Sequence, residues 1–203
     1  MMFQGLILNG KGLRERMDYI LIEHIEKTLS VKRLYEGKII NVRVDTVSLP
    51  GGGTATREVV EHAGAVGVVP VNEQGEILLV RQYRYAAGKT LLEIPAGKLE
   101  PGEDPLACAR RELLEETGYA ASGCERLISF YSTPGFTNET LYLFLATGLT
   151  QKEQNLDEDE DIAVVPVPFE QAIDFIWSGE ICDAKSVAGI FAVYYREKNK
   201  PGA

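Results

Sequence analysis

The chain has no surplus of basic residues. Its 21 Lys and Arg face 30 Asp and Glu, for a formal net charge of −9, which excludes nucleic-acid binding through a broadly basic surface. No stretch approaches the roughly 18 apolar residues of a membrane span, and the opening MMFQGLILNGKGLRER holds too short an apolar run for a signal peptide. Cysteine is scarce. Cys108, Cys124 and Cys182 are odd in number and lack metal-type spacing, which suits a reducing, cytoplasmic setting. Repeats and low-complexity blocks are absent. What is present, 203 residues with 45% hydrophobic and 25% charged, is ample for one globular domain with a real core, or for a domain plus an arm.

The densest chemistry lies in residues 97–119, GKLEPGEDPLACARRELLEETGY. Pro101-Gly102 is a turn pair, Asp104-Pro105 reads as an N-cap followed by proline at the first helical position, and Gly118 is a natural stop. The spacing predicts a helix over 105–117. Glu112, Glu115 and Glu116 stand at i, i+3 and i+4 and share one face. Like charges repel, and near a helix C-terminus the macrodipole disfavours each anion by roughly 0.3–1 kcal/mol. A helix selected only for stability would carry Lys or Arg there. A divalent cation relieves the conflict, and carboxylate oxygens with room for water suit Mg²⁺ or Mn²⁺. Cys108, in the same helix, reads as a small packing residue.

Elsewhere the pattern is mostly β. Residues 18–29 place Ile22, Ile25 and Leu29 at roughly helical spacing, and His24 reads as a surface or packing residue. Met17 is an alternative start, which would make residues 1–16 a leader without a role. Residues 31–35 form a short strand; Ile40, Val42 and Val44 alternate; the turn LPGGG leads to a returning strand over 54–62. Together these make a hairpin-rich arm. Residues 65–71 and 76–80 are apolar runs of the kind buried on both faces. Further strands are expected over 91–95, 125–131, 141–145 and 162–167, with loops over 132–140 and an acid-rich 151–161. Two helices close the chain, one with Phe169, Ala172, Ile173, Ile176 and Trp177 on its face, the other with Val187, Ile190, Phe191 and Tyr194. The expected organisation is an N-terminal extension over 1–30, a strand arm over 31–62 and a catalytic domain over 63–203. The fold class is α/β, a mixed sheet sandwiched between helices with an N-terminal β-rich arm.

Residues 97–119 resemble the complete box of the Nudix hydrolases, enzymes that cleave nucleoside diphosphates linked to another group. Gly97, Glu103, Arg111, Glu112, Glu115, Glu116 and Gly118 all match. Pro134, fifteen residues beyond Tyr119 in STPGFTNET, resembles the loop of the ADP-ribose pyrophosphatases within that family. So do IPAGKLE before the box, RQYR at 81–84 and the late LDEDED. The resemblance implies the Nudix fold, and hydrolysis of ADP-ribose to AMP and ribose 5-phosphate with Mg²⁺ or Mn²⁺. It leaves open another nucleoside diphosphate sugar such as GDP-mannose or ADP-glucose, and a non-catalytic ADP-ribose sensor. It implies Glu112 and Glu116 as metal ligands, with Glu115 as a further ligand or a support through water, and the carbonyl of Ala96 completing a site. Glu103 and Arg111 would pair and brace the box. Glu158 and Glu160 match positions that supply the general base, Glu158 by preference, and a further metal ligand. Arg84 would meet the phosphates or ribose, Glu139 the terminal ribose or a metal-held water, and Arg57 and Glu58 the adenine. Such relatives are homodimers whose N-terminal strands cross to the partner.

Overall fold

The structure, a computed structural model, describes residues 25–156 and 160–199. The candidate leader 1–16, Met17, His24, most of the 18–29 pattern and the candidate base Glu158 lie outside those residues. The order is β1 (Lys27–Glu36), β2 (Asn41–Ser48), β3 (Thr54–Glu61), β4 (Ala65–Pro70), β5 (Glu76–Arg84), a 3-10 turn (Tyr85–Ala87), β6 (Lys89–Glu93), β7 (Ala96–Lys98), α1 (Pro105–Thr117), β8 (Tyr119–Tyr131), β9 (Thr140–Gln151), β10 (Ile162–Pro168), α2 (Phe169–Ser178) and α3 (Ala184–Lys198).

The first three strands form an antiparallel sheet, β1-β2-β3. Residues 27–29 belong to β1 and not to a helix: Thr28 pairs with Val47 and Ser30 with Thr46, a bulge falling between them. Pairing with a neighbouring strand overrides a weak helical spacing. The sheet covers little of itself. Every residue of β1 is exposed, and within β2 only Asp45 and Val47 are buried. Burial therefore falls on the face opposite to that of the alternating Val42 and Val44, which stay half-buried.

The remaining strands form two further sheets, β10-β5-β6 and β7-β4-β9-β8. All their pairings are antiparallel except β4 with β9. Strand β4 shows why its run had to be apolar throughout. Val66 and Val68 point into a cluster with Leu113, Cys108 and Ala109 of α1, while Val69 points the other way, into a cluster with Leu79, Ile94, Leu143 and Ile190 of α3. A strand with helices on both faces has no side left for water. Gly189 of α3 lets that helix approach closely: a Cβ there would sit 3.0 Å from Val69.

Several elements run longer than expected. β5 continues to Arg84, β8 begins at Tyr119, and β7 is an additional short strand that pairs with β4 from Ala96 to Lys98. Trp177, read as part of the apolar face of α2, is 78% exposed; it meets the edge of Phe191, with ring centroids 6.1 Å apart. Ile190→Ala should therefore cost about 2–5 kcal/mol in urea unfolding, by lost transfer and a residual cavity. Trp177→Ala should stay within about 0.5 kcal/mol of wild type. A Trp177 effect as large as that of Ile190 would overturn this placement.

Candidate catalytic site

Helix α1 begins as its sequence dictates. The Asp104 Oδ1 accepts from Leu106 N at 3.0 Å and Ala107 N at 3.1 Å, with Pro105 at the first turn. It ends at Gly118, φ 70°, whose N–H donates to Leu114 O at 2.8 Å. The last turn carries no basic residue. Its terminal carbonyls are met instead by the chain after β9: Lys152 N donates to Gly118 O at 2.7 Å, Asn155 N to Glu115 O at 3.2 Å, and the Gln154 side-chain amide to Glu116 O. The root of the acid-rich loop is thus tied to the helix end that carries the glutamates.

The three glutamates have different surroundings. Glu116 is 3% exposed, and its Oε2 accepts from Ala96 N at 2.9 Å. Burial pushes its pKa up to about 8, aided by the charges of Glu112 and Glu160 and opposed by the Ala96 N–H and Arg84. Burial also raises that of Glu112, against the pull of Arg111. Glu112 lies over Gly97: a Cβ at that position would be 1.8 Å from the carboxyl carbon. Glycine at 97 is therefore a steric requirement of the carboxylate. Arg111 grips Glu103 with two hydrogen bonds, Nε to Oε1 at 2.9 Å and Nη2 to Oε2 at 3.0 Å. Its Nη1 reaches Glu112 at 2.7 Å and Glu115 at 2.9 Å. Burial drives the Cys108 thiol up to about 12, so this residue packs and does not react.

Among the described residues no three His, Cys, Asp or Glu stand in a ready-made cation cage. The donor chemistry nonetheless fits a hard divalent ion. The half-buried Glu112 and the buried Glu116 share one helix face, burial raises the pKa of both, and Gly97 leaves room for the Glu112 carboxyl. Glu160 is close enough to act on both. β10 pairs Ile162 with Gln82 of β5, so extending that register by two residues brings Glu160 level with Arg84.

Arg84 stands at the end of β5, with its Nε donating to Glu93 Oε2 at 2.7 Å. Glu93 is 2% exposed and also pairs with Lys185 at 3.1 Å. Neither Glu93 nor Lys185 was singled out from the sequence. The available signal was an acid inside the apolar run LLEIP, which needs a buried partner.

The remaining expected contacts lie elsewhere. Arg57 and Glu58 are exposed neighbours on β3, and Arg57 is occupied by Glu26, with its Nε at 2.9 Å from Oε2, and by Thr56 O at 2.9 Å. Glu139 stands 3.6 Å from Nδ1 of His62, which itself accepts from Gly64 N at 3.0 Å. Both line a cavity of about 320 Å³ with Ile39, Ile40, Phe136 and Thr137. The Pro134 loop is stitched to the arm there, with Val60 N donating to Phe136 O at 2.8 Å and His62 N to Asn138 Oδ1 at 2.9 Å.

Residues 61–188 match the NUDIX domain, and residues 26–60 match the nucleoside diphosphate sugar hydrolase N-terminal domain. The chain belongs to the Nudix family. It is 42% identical over 177 residues to the methanol dehydrogenase activator of Bacillus methanolicus, covering 86% of this chain and 96% of that protein. It is 42% identical over 174 residues to the ADP-ribose pyrophosphatase of Bacillus subtilis (strain 168), covering 85% and 94% respectively. A crystal structure of an ADP compounds hydrolase shares the fold, with a TM-score of 0.77 and 23% identity over 85% of this chain and 94% of that one.

Arg111 holds the Glu103 carboxyl down to about 2, below its ordinary 4.5. A carboxyl whose pKa is lower in the folded state contributes stability above its unfolded value and loses it as the pH falls through the folded one. Glu103→Gln should therefore cost about 1 kcal/mol at pH 7, between an exposed ion pair and a buried charged hydrogen bond. The gap from wild type should close as the pH falls from about 4.5 towards 2. Urea titrations across that range check it; a gap that persists at the acid end would mean the two oxygens act by packing.

Proposed function

We propose that this Nudix hydrolase cleaves the diphosphate of ADP-ribose to AMP and ribose 5-phosphate by attack of water on phosphorus. One observation carries the reading: the carboxyls of Glu112 and Glu116, both raised in pKa by burial, converge at the Ala96–Gly97 segment at the end of a helix that otherwise obeys the rules of helix stability. The similarity to the ADP-ribose pyrophosphatase of Bacillus subtilis, 42% identical over nearly its whole length, supports the choice of substrate.

Glu112, Glu116, Glu160 and the carbonyl of Ala96 would hold Mg²⁺ or Mn²⁺, with Glu115 as a further ligand or a support through water. Such an ion would supply neutralisation of the phosphate charge and a water of lowered pKa. Glu158 would act as general base toward the attacking water. Arg84 orients the diphosphate through its guanidinium. Glu103 keeps Arg111 in place, and Arg111 keeps Glu112 and Glu115 from drifting apart. Glu139 meets the terminal ribose, while Arg57 stacks on the adenine with Glu58 beside it. That role requires Arg57 to leave Glu26.

The adenine contacts call for a second copy of the chain. β1 is exposed along its whole length, and Leu29, Val31, Leu34, Tyr35 and Ile39 are each about half exposed or more. A sheet that buries so little in one chain is suited to burying its apolar side chains against another. The reading is a homodimer with exchanged arms. The three free cysteines suit the cytoplasm, and no described helix is long and apolar enough to cross a membrane.

Glu112→Gln and Glu116→Gln should each lower turnover about 100- to 1,000-fold while circular dichroism and unfolding curves remain those of a folded protein. Undiminished Mg²⁺-dependent turnover would sink the ligand assignment. Glu158→Gln should lower kcat far more than it weakens binding; a larger loss with Glu160→Gln would exchange their roles. A panel of ADP-ribose, GDP-mannose, ADP-glucose, NADH and diadenosine polyphosphates, ranked by kcat/KM, should place ADP-ribose first. Sedimentation should show a dimer, and a monomer at assay concentration would exclude the shared site.

A further inference from the structure

Glu93 is a buried carboxylate at the end of β6, and its two oxygens are divided between two cations. Oε2 accepts from Arg84 Nε at 2.7 Å, and Oε1 lies 3.1 Å from Lys185 Nζ. An unpaired charge at 2% exposure would be costly, so some partner is required. Arg84 alone could meet that need. Lys185 therefore calls for a separate reason.

Its position sharpens the question. Lys185 is in the first turn of α3, where the macrodipole disfavours a cation. The N-cap Asp183 accepts from Ser186 N at 3.1 Å and from Lys185 at 2.8 Å. Lys185 thus bridges Asp183 and Glu93, and the helix N-terminus takes a share of the Asp183 charge. Arg84 is held along its Nε edge by a carboxylate that it shares with Lys185. Its positive charge is therefore only partly spent on Glu93, its side chain is 37% exposed, and it is close enough to act on Glu116. The same turn fixes the neighbouring backbone, since Ser186 Oγ accepts from Ile94 N at 2.8 Å, two residues before Ala96.

We propose that Glu93 and Lys185 are positioning residues for the diphosphate: Glu93 aims the Arg84 guanidinium at the carboxylate floor, and Lys185 neutralises Glu93 so that the charge of Arg84 is left for an anionic substrate. This rests on the reading that Arg84 meets the substrate diphosphate.

The test is a double-mutant cycle on the full chain with ADP-ribose and Mg²⁺, using Lys185→Met, Arg84→Ala and the pair, with Lys185→Arg as the conservative control. Lys185→Met should raise KM about tenfold with a smaller change in kcat, and Lys185→Arg should restore it. In the Arg84→Ala background Lys185→Met should change KM no further, because its route to the substrate is gone. A structural role alone would give the same penalty in both backgrounds, and that result, or an unchanged KM in a folded Lys185→Met, overturns the proposal. If Lys185→Met fails to fold, Lys185→Gln carries the same cycle, keeping a donor for Glu93 without the charge. A wild-type enzyme that leaves ADP-ribose intact would overturn only the substrate reading; the cycle is then run on whichever compound of the panel it hydrolyses.

Discussion

Three like charges on one face of one helix end set the terms for the rest of this molecule. Glu112, Glu115 and Glu116 oppose one another and the helix dipole, and Glu116 is almost wholly out of water as well. The surroundings make that arrangement tolerable without cancelling it. Arg111 ties two of the acids and is itself fixed by Glu103. Ala96 gives Glu116 a single N–H. Gly97 contributes only the absence of a side chain. The residual conflict shows in the raised pKa values of Glu112 and Glu116, and it makes the site a receptor for positive charge.

The frame around this helix has a corresponding job. The backbone from Glu93 to Ala96 is pinned from both sides of the sheet. α1 holds it through the bond from Ala96 N to Glu116, and α3 holds it through the bond from Ile94 N to Ser186. These two helices pack on opposite faces of β4, each through its own apolar cluster. The core thereby locates a carbonyl, a carboxylate pair and the start of an acidic loop relative to one another. Loop placement enters because residues 152–155 cap the carbonyls of α1. Chemistry that depends on geometry within about half an ångström is best built on elements held at both ends.

Much of this was legible because it rests on local rules. The bounds of α1 follow from Asp104-Pro105 and Gly118, and the buried strands follow from unbroken apolar runs. What sequence reasoning missed depends on long-range pairing. Residues 27–29 become strand because β2 lies beside them. β7 exists because β4 offers Ala65 to Gly67 as partners. Glu93 and Lys185 are 92 positions apart and meet only once α3 has folded over the end of β6. His62 and Glu139 come together for the same kind of reason, across the seam between arm and loop. Trp177 fitted a helical stripe, but α2 packs through a narrower face than its sequence offers.

Electrostatics then separates what this chain can do alone from what it needs help to do. A floor of Glu112, Glu116 and Glu160 in a protein of net charge −9 repels a diphosphate before any chemistry begins. Attraction must come from charges placed locally, and the cation beside the glutamates is already committed: Arg111 is spent on Glu103, Glu112 and Glu115. Arg84 differs because its carboxylate partner has a second cation. A divalent ion on the floor and Arg84 above it would together turn a repulsive surface into one that accepts two linked phosphates. On the proposed reading neither would suffice alone: the ion without Arg84 would leave part of the diphosphate charge unmatched, and Arg84 without the ion would face the full charge of the floor. On that reading the glutamates that make the helix awkward and the lysine that starts α3 against its dipole are two halves of one electrostatic design, each locally unfavourable and each answering an anion that neither would bind by itself.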